Sequence, residues 1–247
     1  MKNITTFRNA VLFWAFLTGG VYSDTILEKD LTLEISPDRT ALQINNLVTA
    51  VPKNLGGHTL LAQLENGLYN REMTSALLFR GFFNGNLIIR GNPAESGQHT
   101  DQAVIIDASA GMDNVFNLSR CSAAVTIQNL CLKVSDTSRA ACIRLSGLQQ
   151  VAVDGCYLIG AGKINGNIGV HAATGVLGEV SNCCFENTAN GIKTDFACLV
   201  TSSNNTSVGT IPDYGLKALE FTKILKEGSQ PSGWILGEDT SRGGTIE

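Results

Sequence analysis

Four basic side chains recur in the second half of the sequence, each at the third position of a segment that reads small, apolar, basic. They are Arg144, His171, Lys193 and Lys217, in the segments Cys-Ile-Arg, Gly-Val-His, Gly-Ile-Lys and Gly-Leu-Lys. If these segments form neighbouring strands of one sheet, the four residues stand about 4.8 Å apart in a column, which we call the basic ladder. Like charges at this spacing repel one another unless an anion lies against them. The favoured interpretation is a solvated sheet face whose long side chains discourage edge association. The alternative hypothesis is a binding site for an acidic polymer, such as a charged capsule or teichoic acid.

Carboxylates are the second group of residues that could take part in a reaction, because glycoside hydrolysis uses two of them about 5 to 10 Å apart. The weak catalytic candidates are Asp154, Glu179 and Asp195. No pair of carboxylates recurs at a spacing that forces two of them together. The Asn-x-Asp, paired-Asp, Gly-His-Gly and Arg-x-Lys motifs of a polygalacturonase-type site do not occur in the sequence.

Metal, cofactor and nucleic-acid sites are not indicated. Seven cysteines stand at positions 121, 131, 142, 156, 183, 184 and 198, without a CxxC pair, and the three histidines are far apart. Most of these cysteines lie in apolar runs, which predicts buried, reduced thiols; a disulfide framework, more typical of short secreted domains, is the alternative. No Gly-rich phosphate loop or HExxH motif occurs. A net charge of −4 gives no general reason to expect nucleic-acid binding.

Two motifs that repeat in step predict the fold. The apolar centres of the small-apolar-basic segments fall at 143, 170, 192 and 216, and a second series places Ile127, Val153 and Val180 in apolar-polar-Asn/Gly segments. The offset of ten residues between the series holds twice, from 143 to 153 and from 170 to 180. Leu132, Leu158 and Phe185 then share a third register. Coils of about 22 to 27 residues with short strands are typical of a right-handed parallel β-helix. A β-sandwich is the alternative.

A short helix precedes the repeats. Thr40 and Gln43 have the spacing of a capping box, and apolar residues follow at 44, 47, 48 and 51 before Pro52 ends the pattern. Such a helix would cover the open end of a solenoid, where unpaired backbone groups are exposed. The sequence is therefore divided into an N-terminal attachment or signal-like segment (1–36), a capping helix and linker (37–57), and a β-helix with a C-terminal closing segment (58–247).

The N-terminal segment has two interpretations. An apolar run from Ala10 to Leu17 is followed by Val21-Tyr22-Ser23, which is similar to a signal-peptide cleavage site. The run is too short to cross a bilayer. The second interpretation is an attachment segment that docks the domain on a partner, and the cysteine pattern favours it.

Several stretches resemble β-helical domains of bacteriophage and prophage tail fibres, including tailspike-like ones. They are Pro-Lys-Asn-Leu-Gly-Gly-His-Thr-Leu from 52, Asn-Gly-Leu-Tyr-Asn from 66, Gly-Phe-Phe-Asn-Gly-Asn-Leu-Ile-Ile-Arg-Gly-Asn from 81, Gly-Ser-Gln-Pro-Ser-Gly from 228 and Gly-Gly-Thr-Ile from 243. The likeness covers about residues 40 to 247. The first 39 residues differ from the long attachment region of a whole fibre.

The resemblance implies a pectin-lyase-like architecture and a virion protein that attaches to bacterial surface polysaccharide. It also implies assembly as a homotrimer with other phage tail proteins. The basic ladder supplies the candidate glycan-binding residues. The alternatives are a polysaccharide lyase or glycoside hydrolase of the same architecture, and a secreted or cell-surface β-helical protein.

Overall fold

The chain folds as a right-handed parallel β-helix, as the repeats predict. This computed structural model describes residues 25–95, 103–108, 114–135, 139–161, 166–209, 212–233 and 236–247. The signal-like or attachment features of residues 1–24 lie outside these ranges. No helix in the described ranges has the length and apolar character needed to cross a membrane.

Within the described residues, 22 strands form three parallel sheets, and each coil adds strands in turn. The long sheet contains β1 (Leu31–Ile35), β2 (Thr59–Leu64), β5 (Asn86–Arg90), β8 (Ala124–Gln128), β11 (Val151–Asp154), β14 (Leu177–Ser181), β17 (Leu199–Ser203), β20 (Lys223–Glu227) and β22 (Thr245–Ile246). The seven-stranded sheet contains β4 (Leu77–Arg80), β7 (Asn114–Cys121), β10 (Ala141–Leu148), β13 (Ile168–Thr174), β16 (Asn190–Thr194), β19 (Tyr214–Leu219) and β21 (Leu236–Ser241). The six-stranded sheet contains β3 (Gly67–Tyr69), β6 (Val104–Asp107), β9 (Cys131–Lys133), β12 (Tyr157–Ile159), β15 (Cys184–Glu186) and β18 (Thr206–Ser207). A helix, α1 (Ala41–Ala50), and a 3-10 turn (Pro93–Glu95) complete the elements.

The predicted registers are confirmed in all three sheets. Residues 143, 170, 192 and 216 pair across the seven-stranded sheet. Residues 127, 153 and 180 pair in the long sheet, and 132, 158 and 185 pair in the six-stranded sheet. All ten side chains are buried in one continuous core. Each column therefore stacks similar apolar groups along the axis of the solenoid.

The second repeat series ends in Asn or Gly because its third residue turns a corner. Directly after strands of the long sheet, successive coils place five residues in the left-handed region: Asn129 (φ 57°), Gly155 (58°), Asn182 (53°), Asn204 (52°) and Gly228 (62°). Most side chains lose about 1–2 kcal/mol in this conformation, whereas Gly loses none and Asn tolerates it. The choice of residue therefore follows from the shape of the coil.

Helix α1 covers one end of the solenoid, as predicted. Its capping box is complete, with Thr40 Oγ1 accepting from the amide of Gln43 and Gln43 Oε1 accepting from the amide of Thr40. The side chain of Asn45 then completes the edge of the seven-stranded sheet. It donates to the carbonyl of Ala76 at 2.9 Å and accepts from the amide of Leu78 at 2.8 Å. Ala76 directly precedes the edge strand β4 and Leu78 lies within it. The helix therefore supplies hydrogen-bond partners to an edge that would otherwise be open.

Strand β1 joins the solenoid directly. It lies within the residues 1–36 set apart as an N-terminal segment, and it pairs in parallel with β2 from Leu31 to Ile35. The stacked long sheet therefore extends to Leu31.

The cysteines are buried and unpaired, which confirms the prediction of reduced thiols. All seven are free and enclosed in the solenoid. Burial raises the pKa of Cys131 to about 12. The thiols therefore pack as small apolar groups.

Gly169, the small residue of one segment in the first repeat series, lies against an interior aromatic ring. A Cβ on Gly169 would lie 2.5 Å from two ring carbons of Phe185 and 2.6 Å from the carbonyl oxygen of Gly191. We expect Gly169→Ala to lower the free energy of unfolding by about 1–3 kcal/mol, through overpacking. Urea denaturation measures this value.

The matched control is Gly237→Ala, because a Cβ at Gly237 would have no atom within 4 Å. This variant should remain within about 0.5 kcal/mol of the wild type. Equal stability of the two variants would contradict the packing argument.

Candidate functional site

The basic ladder forms in the predicted register. Arg144 pairs with His171, His171 with Lys193 and Lys193 with Lys217, on strands β10, β13, β16 and β19. Each basic residue follows a buried apolar residue of the strand. The ladder therefore runs along the outer face of the seven-stranded sheet, parallel to the solenoid axis.

Two adjoining grooves cover this face. The first has a volume of about 600 Å³ and is lined by the whole ladder and by Arg139 and Arg242, with Asp195 and Glu220 as its carboxylates. The second, of about 530 Å³, shares Arg144 and adds Arg80 and Arg120. No carboxylate belongs to the described lining of the second groove. The two grooves together make one long basic surface.

The charge balance of this surface is opposite to that of the chain. Seven lysine and arginine residues line the two grooves. They face three carboxylates: Asp195, Glu220 and also Asp239, which bonds Lys217 at 2.7 Å from the next strand. The local surplus is four positive charges, whereas the chain carries a formal net charge of −4. We call the lined surface the basic groove.

Asp195 lies at the centre of the ladder. Its Oδ2 accepts from His171 Nε2 at 2.8 Å and from Lys193 Nζ at 2.8 Å. Burial by itself would raise the pKa of Asp195, but the hydrogen bonds and charges of these two partners hold it below its usual value. Its Oδ1 is buried and has no hydrogen-bond partner within the described residues. Asp195 is thus an ionised acceptor that neutralises part of the ladder.

His171 is the neutral member of the ladder. Burial lowers its pKa, the hydrogen bond to Asp195 opposes that shift, and the nearby charges of Lys193 and Arg144 add to the lowering. With a pKa below the ordinary 6.5, the imidazole is uncharged at neutral pH and its Nε2–H donates to Asp195. The repulsion expected within the ladder is reduced accordingly.

The remaining cations differ in how they are held. Lys217 lies 4.2 Å from the centroid of the Tyr214 ring in addition to its ion pair with Asp239. Arg242 forms an ion pair with Glu220 at 2.6 Å. Arg144 has no carboxylate partner among the described residues. The same holds for Arg80, Arg120 and Arg139.

The three carboxylate candidates do not converge. Asp154 and Glu179 lie on strands β11 and β14 of the long sheet, whereas Asp195 lies by the seven-stranded sheet. Asp154 Oδ1 accepts from Ser181 Oγ at 3.0 Å and from Asn182 Nδ2 at 2.7 Å, so it supports the corner at Asn182. Glu179 is exposed in a shallow concavity of about 460 Å³ whose lining does not include Asp154. The structure therefore does not bring the three residues together.

The residues that complete the groove were not predicted from the sequence. Arg139 and Arg242 follow no repeat position, because they lie in turns whose lengths vary between coils. Asp239 occupies the next ladder position after Lys217, but its segment Gly-Glu-Asp breaks the small-apolar-basic pattern. The sequence feature that indicates the contact of Asp195 with the ladder is its position two residues after Lys193.

No protein-family model, curated protein or solved structure matches this chain. In the part of the chain that the structure describes, no group of three His, Cys, Asp or Glu side chains is placed to hold a metal ion.

The His171–Asp195 pair predicts a pH-dependent stability. As the pH falls through about 6.5, the unfolded chain binds a proton at His171 more readily than the folded protein, whose His171 pKa is lowered, so acidification lowers the free energy of unfolding. Asp195 acts in the same direction at lower pH. Its contribution is present above its ordinary pKa of 3.8 and is lost as the pH falls through the lower folded value.

We expect His171→Gln, which titrates at no pH, to lose less stability than the wild type between about pH 7 and about pH 5. Denaturant unfolding of both proteins at the two pH values measures the difference. Equal losses would show that His171 is not held neutral.

Proposed function

We propose that the chain is a tail-fibre-like or tailspike-like attachment protein whose basic groove binds an acidic bacterial surface polysaccharide without cleaving it. The observation that carries the proposal is the local surplus of positive charge along the groove of a chain with net negative charge. The phage setting is supported by the sequence stretches quoted above. That setting also implies a virion location, a homotrimeric assembly and other tail proteins as partners.

The spacing of the cations suits a polymer. Neighbouring strands of the sheet place the ladder positions about 4.8 Å apart, so an extended anionic chain along the solenoid axis meets several cations in succession. A concave surface lined by one sign of charge also concentrates its field and attracts oppositely charged ligands. Weak single contacts then add up along the polymer.

The electrostatics of Asp195 favour binding over hydrolysis. A glycosidase acid needs a raised pKa so that it carries a proton at working pH. The pKa of Asp195 is instead lowered by His171 and Lys193. The second carboxylate of the groove, Glu220, is engaged in an ion pair with Arg242 at 2.6 Å.

The test uses two of the four groove arginines that have no carboxylate partner in the described structure, so that no native ion pair is broken. Arg120→Glu with Arg144→Glu should weaken retention on a purified acidic surface polysaccharide by at least about tenfold, or about 1.4 kcal/mol. Retention of the wild type should also fall with added salt, because the charges are screened. The measurement is affinity electrophoresis with the polysaccharide in the gel.

The control is Arg90→Glu, which reverses a charge on the long sheet where Arg90 Nε donates to Gln63. This variant should be retained like the wild type. Equal weakening by the control and the double variant would contradict a role for the basic groove. Shortening of the polysaccharide chains by the wild-type protein would contradict the non-catalytic part of the proposal.

A further inference from the structure

One corner of the solenoid places large side chains in the left-handed region, where the other corner uses Asn and Gly. Between the seven-stranded and long sheets, the described coils also turn through left-handed residues. Earlier coils use Arg120 (φ 56°), Gly147 (φ 62°) and Gly175 (φ 55°) at this corner. The next two coils each place two residues there, Phe196 (φ 52°) with Ala197 (φ 57°) and Glu220 (φ 55°) with Phe221 (φ 63°). Large side chains are rare in this conformation, since only Gly enters it without strain.

Packing does not explain these two aromatics. Phe221 is 83% exposed and Phe196 is 55% exposed, so more than half of each residue faces solvent. Neither side chain belongs to the apolar core. Strained residues that add little to stability are found where a protein uses them for binding.

The two rings lie on the rim of the basic groove. Phe196 lines the groove beside Asp195, and Phe221 directly follows Glu220, another lining residue. The two corners are stacked, because the amide of Ala197 donates to the carbonyl of Glu220 at 3.4 Å, and this register places Phe196 beside Glu220 and Ala197 beside Phe221. The aromatic pair therefore stands next to the ladder positions of Lys193 and Lys217, on the same two coils.

We infer that the ligand is a polymer of carboxylated pyranose sugars, whose rings stack on Phe196 and Phe221 while their carboxylates meet the cations of the groove. This inference rests on the proposed binding of an acidic polymer and names its class. An aromatic face offers an apolar, electron-rich surface to the C–H groups of a sugar ring. A polyphosphate chain has no such groups and gains nothing from the aromatic rim. The strand spacing is also close to the length that one pyranose adds to an extended chain.

The test compares three kinds of polymer on the full chain. Carboxylated polysaccharides (polygalacturonate, alginate and hyaluronan) carry both charge and rings, long-chain polyphosphate carries charge alone, and dextran carries rings alone. The wild type should bind at least one polyuronate more tightly than polyphosphate, and should not bind dextran. Isothermal titration and affinity electrophoresis measure these affinities.

The decisive variant is Phe196→Asn with Phe221→Gly, which installs the residues that the other corner uses. We expect its affinity for the bound polyuronate to fall about fivefold to tenfold, with polyphosphate binding unchanged. Its thermal midpoint should stay the same or rise, since backbone strain is removed. The matched control is Phe83→Ala, an aromatic residue 43% exposed and outside the groove, which should change neither affinity.

The outcomes separate the inference from the proposed function. If polyphosphate binds as tightly as every polyuronate and the double variant binds both as the wild type does, the basic groove stands and the sugar assignment falls. If the double variant lowers the oligomeric state and leaves glycan affinity unchanged, the rings are subunit contacts and the inference is wrong. If no anionic polymer binds, the proposed function itself fails.

Discussion

The stacking of parallel strands at a repeat of about 4.8 Å is the constraint on which this structure depends. Each side chain lies against its counterpart on the coil before and the coil after. The side chains of one column must therefore pack or hydrogen-bond with one another over many coils. Aliphatic columns such as Ile127, Val153 and Val180 satisfy this condition by close packing. Corner columns satisfy it with Asn and Gly, and the same stacking brings basic groups of the outer face next to one another.

Toward the C-terminal coils, the interior columns turn polar and satisfy the constraint by hydrogen bonding. Thr194 and Thr222 share a hydroxyl hydrogen bond of 2.7 Å. Asn205 donates to the carbonyl of Val180 at 2.8 Å and accepts from the amide of Cys183 at 2.8 Å. These polar groups replace apolar contacts at the corners and leave the buried backbone paired. The solenoid thus keeps its strand register in the coils where polar residues replace apolar ones in the interior columns.

The sequence predicted the features that repeat and missed those that do not. Buried columns and ladder positions recur at fixed offsets, so their registers followed from residues such as Ile143 and Val153. The corners vary in length, as the steps of 27, 22 and 24 residues between apolar centres indicate. Residues of the corners, such as Phe196 and Arg242, therefore gave no periodic signal. The role of Asn45 depends on where α1 docks, which no local pattern specifies.

The ladder is tolerated in the free protein because its charges are distributed unevenly. At its centre, His171 is neutral and Asp195 compensates Lys193, while Asp239 compensates Lys217 at the far end. Arg144 is the ladder member with no carboxylate partner among the described residues, and it adjoins the second groove, where Arg80 and Arg120 are in the same condition. An anion therefore gains most at the Arg144 end, where no internal carboxylate must be displaced. In the proposed binding mode, the compensated coils next to the aromatic corner would contribute shape and sugar contacts more than charge, so that charge recognition and ring recognition would be separated along the same axis.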